Sequence, residues 1–245
     1  MSRSNSESLQ DRVLVQLRDL ILKGEFVAGE RLGEIPLGEK LGTSRTPIKL
    51  ALATLKKEGL VDQSPGGGYL MRRFTEEEIF DAISVRGALE GMAARLVAER
   101  GVSRQLSRAF YDCLEEGDRI VKGKTSLSID DYAAYVHMND RFHALMIDGS
   151  GNAALARAIE VNNHLPFAPA SAMLPMQSAM EQEELYLAHR QHHNLVYAME
   201  HGQGARAQAL AEEHVEIAKM NLKHALKSPE RSAELIPTLK LIAGS

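Results

Sequence analysis

The chain has 245 residues, 44% hydrophobic and 25% charged, enough for two compact domains around apolar cores. Its single cysteine, Cys113, excludes an internal disulfide framework, and no apolar run is long enough to cross a membrane. The net charge of −4 hides a division: residues 1–74 hold 12 Lys and Arg against 9 Asp and Glu, whereas the remainder holds 17 against 24. Met1 to Ser8 is polar and lacks the apolar stretch of a secretion signal, which predicts a cytoplasmic protein with a flexible segment over residues 1–7.

Leu9, Val13, Leu17, Leu20 and Ile21 recur at helical spacing and predict an amphipathic first helix. Residues 37–52 read as a short helix, a tight turn at Gly42-Thr43, and the start of a longer helix entered through Ser44. Ile48, Ala51, Leu52 and Leu55 give the longer helix an apolar face, and Arg45, Thr46 and Lys49 fall on the other side near its start. A helix-turn-helix presents its recognition helix in this way, with N-terminal residues aimed into the major groove of DNA. An arginine there can fork onto a guanine edge, while hydroxyls and a lysine take base or phosphate contacts. Gly59 ends the helix. Val61–Ser64, the turn Pro65–Gly68 and Tyr69–Arg72 then predict a β-hairpin. Its glycine tip, Gly66, Gly67 and Gly68, lets the backbone approach a phosphate without a side-chain clash. A winged helix-turn-helix over residues 8–74 follows, with the basic excess where phosphate neutralisation needs it.

From Thr75 onward the pattern is helical. Thr75 and Glu78 have capping-box spacing and open a helix that runs to about Arg100. Further helices are predicted at about 103–122, 129–148, 152–167, 176–200 and 203–227, parted by glycine and proline breaks. The fold class is therefore mostly α, with residues 75–228 forming an all-α bundle and residues 229–245 a C-terminal tail. His143 lies four residues after Asn139, so the two share a helix face. His192 is ten residues before Gly202 and His214 ten after Gly204, so an antiparallel hairpin brings both imidazoles to one height. With His143 from an earlier helix, the three can converge on a divalent cation, or each can be an ordinary packing residue. His137, His164, His189, His193, His201 and His224 read as surface or packing histidines. Arg86 and Glu90 are four apart among apolar residues. They form either a solvated pair or a guanidinium that lines the bundle and can fork onto a carboxylate. Met173, Met176 and Met180 read as core, and Phe167 as a candidate cover for an aromatic ligand.

Gly24–Leu32, Ser44-Arg-Thr-Pro-Ile-Lys49 and Glu58-Gly-Leu-Val61 resemble the GntR family of bacterial regulators. Val85-Arg-Gly-Ala-Leu-Glu90, Phe142-His143, Gly151-Asn152 and the His192/His214 pair are similar to the FCD-type ligand-binding domain of its FadR subfamily. Residues 28–36, 85–94, 132–135 and 166–168 further resemble vanillate-responsive repressors of that family. The resemblance implies a homodimer on an inverted-repeat operator, read by Ser44, Arg45, Thr46 and Lys49 with Gly66–Gly68 in the wing. It implies that Arg86 anchors a small carboxylate effector and that His143, His192 and His214 hold zinc or nickel. Lys49 departs from the arginine usual there, and Asn139 from the aspartate usual four residues before the first histidine. A neutral amide is a poorer metal ligand than a carboxylate. The alternative is that the histidines, with Asn139 and Phe167, contact the effector directly. The function implied is a repressor of aromatic-acid catabolism, released by an acid such as vanillate. A sugar acid or hydroxy acid would serve Arg86 equally. A metal-dependent enzyme on the bundle is the competing class, against which the DNA-binding module argues.

Overall fold

The structure, a computed structural model, describes residues 8–124, 127–170, 172, 179–227 and 236–242. These fall into two compact units, one of residues 8–78 with 164–166 and 236–242, the other drawn from residues 79–163 and 167–227. The segment 1–7, Met173, Met176 and the side chain of Met180 lie outside the described residues.

The first unit is a winged helix-turn-helix. Helix α1 (Leu9–Leu22) starts at Ser8, whose hydroxyl accepts the Asp11 N–H while the Asp11 carboxylate accepts the Ser8 N–H. Val13, Leu17 and Ile21 are buried, and Leu9 in the first turn is exposed. Helices α2 (Glu34–Leu41) and α3 (Arg45–Lys57) follow, and Ile48, Ala51, Leu52 and Leu55 of α3 are completely buried. Strands β1 (Arg31–Leu32), β2 (Val61–Gln63) and β3 (Tyr69–Met71) form an antiparallel sheet in the order β1-β3-β2. Tyr69 stands opposite Leu32 on one side and Gln63 on the other. Two residues are too few for β1 to show an alternating pattern, so sequence alone finds only the hairpin.

Residues 236–242, part of the tail in the sequence reading, pack on this unit. Pro237–Leu241 forms a 3-10 turn, Thr238 Oγ1 donates to the Leu22 carbonyl at 2.6 Å, and the Phe74 N–H donates to the Leu241 carbonyl at 2.8 Å. Leu239, Leu241 and Ile242 are buried, an apolar pattern too short to announce an element. Gly24 makes the approach possible: its φ is +70°, and a β-carbon there would lie 2.6 Å from Cβ of Pro237. Gly24→Ala is expected to add about 1–2 kcal/mol of left-handed backbone strain and to dislodge Pro237. Thermal unfolding of this domain should fall by about 4 °C or more. An unchanged transition would mean that residues 236–242 do not dock there.

Every regular element described in the second unit is a helix. Helix α4 (Glu76–Arg100) is capped as the sequence predicts: the Thr75 hydroxyl accepts the Glu78 N–H at 3.1 Å, and the Glu78 carboxylate accepts the Thr75 N–H at 2.9 Å. Helices α5 (Arg104–Val121), α6 (Ile129–Gly149), α7 (Ala153–Asn162), α8 (Ala179–Glu200) and α9 (Gly204–Lys227) complete it. Phe110, Tyr135, Met138, Phe142, Leu195 and Met199 form the centre of its core. Helix α7 stops at Asn162 rather than 167. Pro166 disfavours helical backbone in the residue before it, and Phe167 takes a left-handed φ of +61°. Among the described residues no helix is long and apolar enough to cross a membrane.

Candidate functional site

Four helices of the second unit deliver polar side chains to one buried place. Helix α4 supplies Arg86 and Glu90, α6 Asn139 and His143, α8 His192, and α9 His214, each less than a tenth exposed. Arg86 and Glu90 lie on the buried stripe of α4, which decides between the two sequence alternatives in favour of the interior. Gly91 lets α9 come close, since a β-carbon there would lie 3.1 Å from the Gln208 carbonyl oxygen, while Gly87 leaves ordinary contact distance to Val215, the neighbour of His214. The Nε2 atoms of His192 and His214 are 3.1 Å apart, the juxtaposition that equal spacing from the Gly202–Gly204 turn predicts. The rings of His143 and His214 stack with centroids 5.3 Å apart, and one ring nitrogen from each of the three histidines lies within 4.8 Å of the others. Phe142 stacks on His192 at 4.2 Å and fixes its plane.

Proton positions follow from the neighbours. The Glu213 carboxylate can only accept, so it takes the Gln191 amide N–H at 3.4 Å and turns the amide oxygen towards Nδ1 of His214, 3.0 Å away. His214 is therefore protonated on Nδ1 and bare on Nε2, the nitrogen facing His192. Glu90 Oε2 stands 3.0 Å from Nδ1 of His143, at ion-pair distance though not aligned as a hydrogen bond. Burial and the neighbouring His143 press His214 down to about 3. Burial, and then the neighbouring His214 and His143, hold His192 well below the usual imidazole range. Both are thus neutral at pH 7, the form in which imidazole binds a metal. Burial opposes ionisation of Glu90, but His143 and Arg86 outweigh it and hold the carboxyl at about 2. Burial pushes the Arg86 guanidinium below its ordinary range against the pull of Glu90.

Arg86, Asn139, His143 and His214 line a cavity of about 50 Å³. One segment borders it: Nη1 of Arg86 donates to the Ala168 carbonyl at 2.7 Å, and Nδ2 of Asn139 donates to the Ala170 carbonyl at 3.1 Å. Among the described residues His192 Nδ1 is buried with no hydrogen-bond partner. Arg86 Nε meets only Glu90, at 3.7 Å, and Glu90 Oε2 and His143 Nδ1 meet only each other, at 3.0 Å, as ion pairs. Buried polar atoms rarely stay so sparsely paired, so the cluster has capacity for a further partner. Three converging imidazoles fit a divalent cation of the zinc class. With its amide N–H given to Ala170, Asn139 has only its oxygen left as a fourth donor.

In the first unit, Ser44, Arg45, Thr46 and Lys49 are exposed together at the start of α3. Ser44 caps the helix without a side-chain hydrogen bond, so its hydroxyl is open to another partner. Gly66, Gly67 and Gly68 form the exposed hairpin tip, where Arg31 Nη2 donates to the Gly67 carbonyl at 3.0 Å. Arg31, unnoticed in the sequence, adds a cation to the wing because β1 pairs with β3.

Residues 9–70 match the bacterial regulatory proteins of the gntR family, and residues 81–217 match the FCD domain. The chain belongs to the GntR family, in the branch that carries an FCD domain. It is 29% identical over 150 residues to the HTH-type transcriptional regulator YdhC of Bacillus subtilis, spanning 61% of this chain and 64%, under two thirds, of that relative. It is 28% identical over 229 residues to a probable D-xylose utilization operon transcriptional repressor of Paenarthrobacter nicotinovorans, spanning 88% and 91% of the two chains. A GntR regulator of known structure from Rhodococcus sp. RHA1 shares the fold, with a TM-score of 0.59 at 21% identity over 88% of this chain and 98% of that one. The family and these relatives are transcriptional regulators, which sets the enzyme alternative aside.

The FCD domain of this GntR-family chain brings Arg86, Asn139, His143, His192 and His214 together. Phe167 is buried but does not line the cavity; its backbone instead turns the chain just before the Ala168 carbonyl. Glu90, Gln191 and Glu213 belong to the site as orienting partners, a role that leaves no periodic trace in sequence.

Proposed function

We propose that this protein is a homodimeric repressor that holds an inverted-repeat operator in the cytoplasm and lets go when a small carboxylate enters the FCD domain. Ser44, Arg45, Thr46 and Lys49 read the major groove, and Gly66–Gly68 approach the backbone. His143, His192 and His214 hold zinc or nickel beside the effector, with the Asn139 oxygen as a weak fourth ligand. The observation that carries this reading is that two buried donors, Arg86 and Asn139, are each held by a carbonyl of one short segment. Two carbonyl oxygens stand in for the two oxygens of a carboxylate. A charged carboxylate binds a guanidinium more strongly than a neutral carbonyl does, so it displaces the segment. At about 50 Å³ the cavity admits no aromatic acid until residues 168–170 move, which makes effector binding and rearrangement one event. Release of DNA requires that the effector prefer the rearranged state.

Vanillate is the effector suggested by the resemblance of residues 85–94 and 166–168 to the vanillate repressor VanR. A sugar acid or hydroxy acid is the second reading, favoured by the small cavity and by the likeness to the D-xylose operon repressor. Fluorescence anisotropy on DNA from upstream of the protein's own gene tests both. Sub-millimolar vanillate should release the DNA and vanillyl alcohol should not. The paired replacement of Arg86 by Met and Glu90 by Leu, which leaves no buried charge of that pair unpaired, should keep operator affinity and lose the response. Release by sugar acids alone selects the second reading, and normal release from the paired variant overturns the anchor.

A further inference from the structure

A second polar cluster adjoins the first along α8, and we propose that Asp118, His189 and His193 form a further divalent-cation site. His189 and His193 are one helical turn apart on α8, so both imidazoles leave the same face. Asp118 comes from α5, the helix packed against that face. Its Oδ1 is 3.2 Å from Nε2 of His189 and 3.2 Å from Nε2 of His193. A tetrahedral cation with ligands at about 2.0–2.2 Å separates neighbouring ligand atoms by about 3.3–3.5 Å. Both edges therefore need to open by only a few tenths of an ångström.

The helix is shaped for the ring. A β-carbon on Gly117 would lie 2.6 Å from Nδ1 and 2.8 Å from Nε2 of His189, so α5 has a glycine where the imidazole sits. Tyr135 and His192 hold the same ring edge-on, with centroids 5.8 and 5.9 Å away. His189 is buried, whereas Asp118 and His193 are about half exposed and open on a cleft of about 430 Å³. Three protein ligands with an open side, two imidazoles and a carboxylate, suit zinc, nickel or iron(II). A cation here ties α5 to α8 and fixes the ring that abuts His192, so it stiffens one wall of the three-histidine cluster.

The competing arrangement is two Nε2–H groups donating to one carboxylate oxygen with no cation. Full-length protein stripped with a chelator and dialysed against Zn²⁺ separates the two, with bound zinc counted by atomic absorption. Asp118→Asn and His193→Ala alter half-exposed side chains, and circular dichroism confirms that each variant folds. Each should bind one zinc fewer per chain than the wild type, falling from two to one if the three-histidine cluster also holds zinc and from one to none if it does not. The visible absorption of the Co²⁺-loaded protein should lose one component in the same variants. Equal zinc content in all three proteins overturns the site.

Discussion

Glu90→Leu is expected to lower the melting temperature of the helical domain by about 6–20 °C. Arg86 and Glu90 are 4% and 1% exposed, and Nε of Arg86 lies 3.7 Å from Oε1 of Glu90. Removing one member of a buried pair leaves an uncompensated charge and costs about 3–5 kcal/mol. Each kcal/mol moves the transition of a domain of this size by about 2–4 °C. After the substitution the guanidinium would have the Ala168 carbonyl as its remaining partner. The paired replacement of Arg86 by Met and Glu90 by Leu removes both charges at similar volume. It should recover most of the loss, because apolar replacements of buried pairs are often neutral or better. Thermal unfolding followed by circular dichroism reads all three proteins. A loss under about 3 °C for Glu90→Leu would mean that the guanidinium reaches water and is no desolvated anchor. A buried pair that stabilises so little as a unit points to function. It keeps a charged fork ready in a place that burial would otherwise leave apolar.

The recognition helix is legible in the sequence because burial there follows periodicity: Ile48, Ala51, Leu52 and Leu55 are buried, and Arg45, Thr46 and Lys49 are exposed. The His192/His214 contact is legible for a different reason, since a tight turn converts equal sequence spacing into equal height. The same logic fails for Arg86 and Glu90. A solvated i,i+4 pair and a buried one have identical spacing, and only the packing of the other helices over that face of α4 tells them apart. It fails more completely for Asp118, which is 71 residues from His189 on a helix whose rotation no sequence pattern reports. Those two histidines look like surface residues until α5 is placed. Nor does any pattern disclose a phenylalanine with left-handed backbone, which is what turns the chain before the carbonyls that meet Arg86 and Asn139.

Arg45→Ala is expected to weaken operator binding by about 30-fold to 20,000-fold. One bidentate base contact is worth about 1–3 kcal/mol. The proposed homodimer reads two half-sites, so a single substitution removes the contact twice, about 2–6 kcal/mol at 1.4 kcal/mol per tenfold. The guanidinium is free to make that contact: it is exposed, and its ion pair with Glu34, at 3.2 Å, is of the surface kind that contributes little. Lys49 is the control, one turn further along the same exposed face. An ammonium is a point charge without a fork, so Lys49→Ala should weaken operator and scrambled duplexes alike and flatten the salt dependence by about one charge per half-site. Arg45→Ala should instead weaken the operator far more than the scramble at the same ionic strength. Equal losses on both duplexes would make Arg45 a phosphate contact and leave base reading to Ser44 and Thr46. The buried positions of α3 could not take it over, because Pro47, Ile48, Ala51 and Leu52 already hold the helix against the domain core.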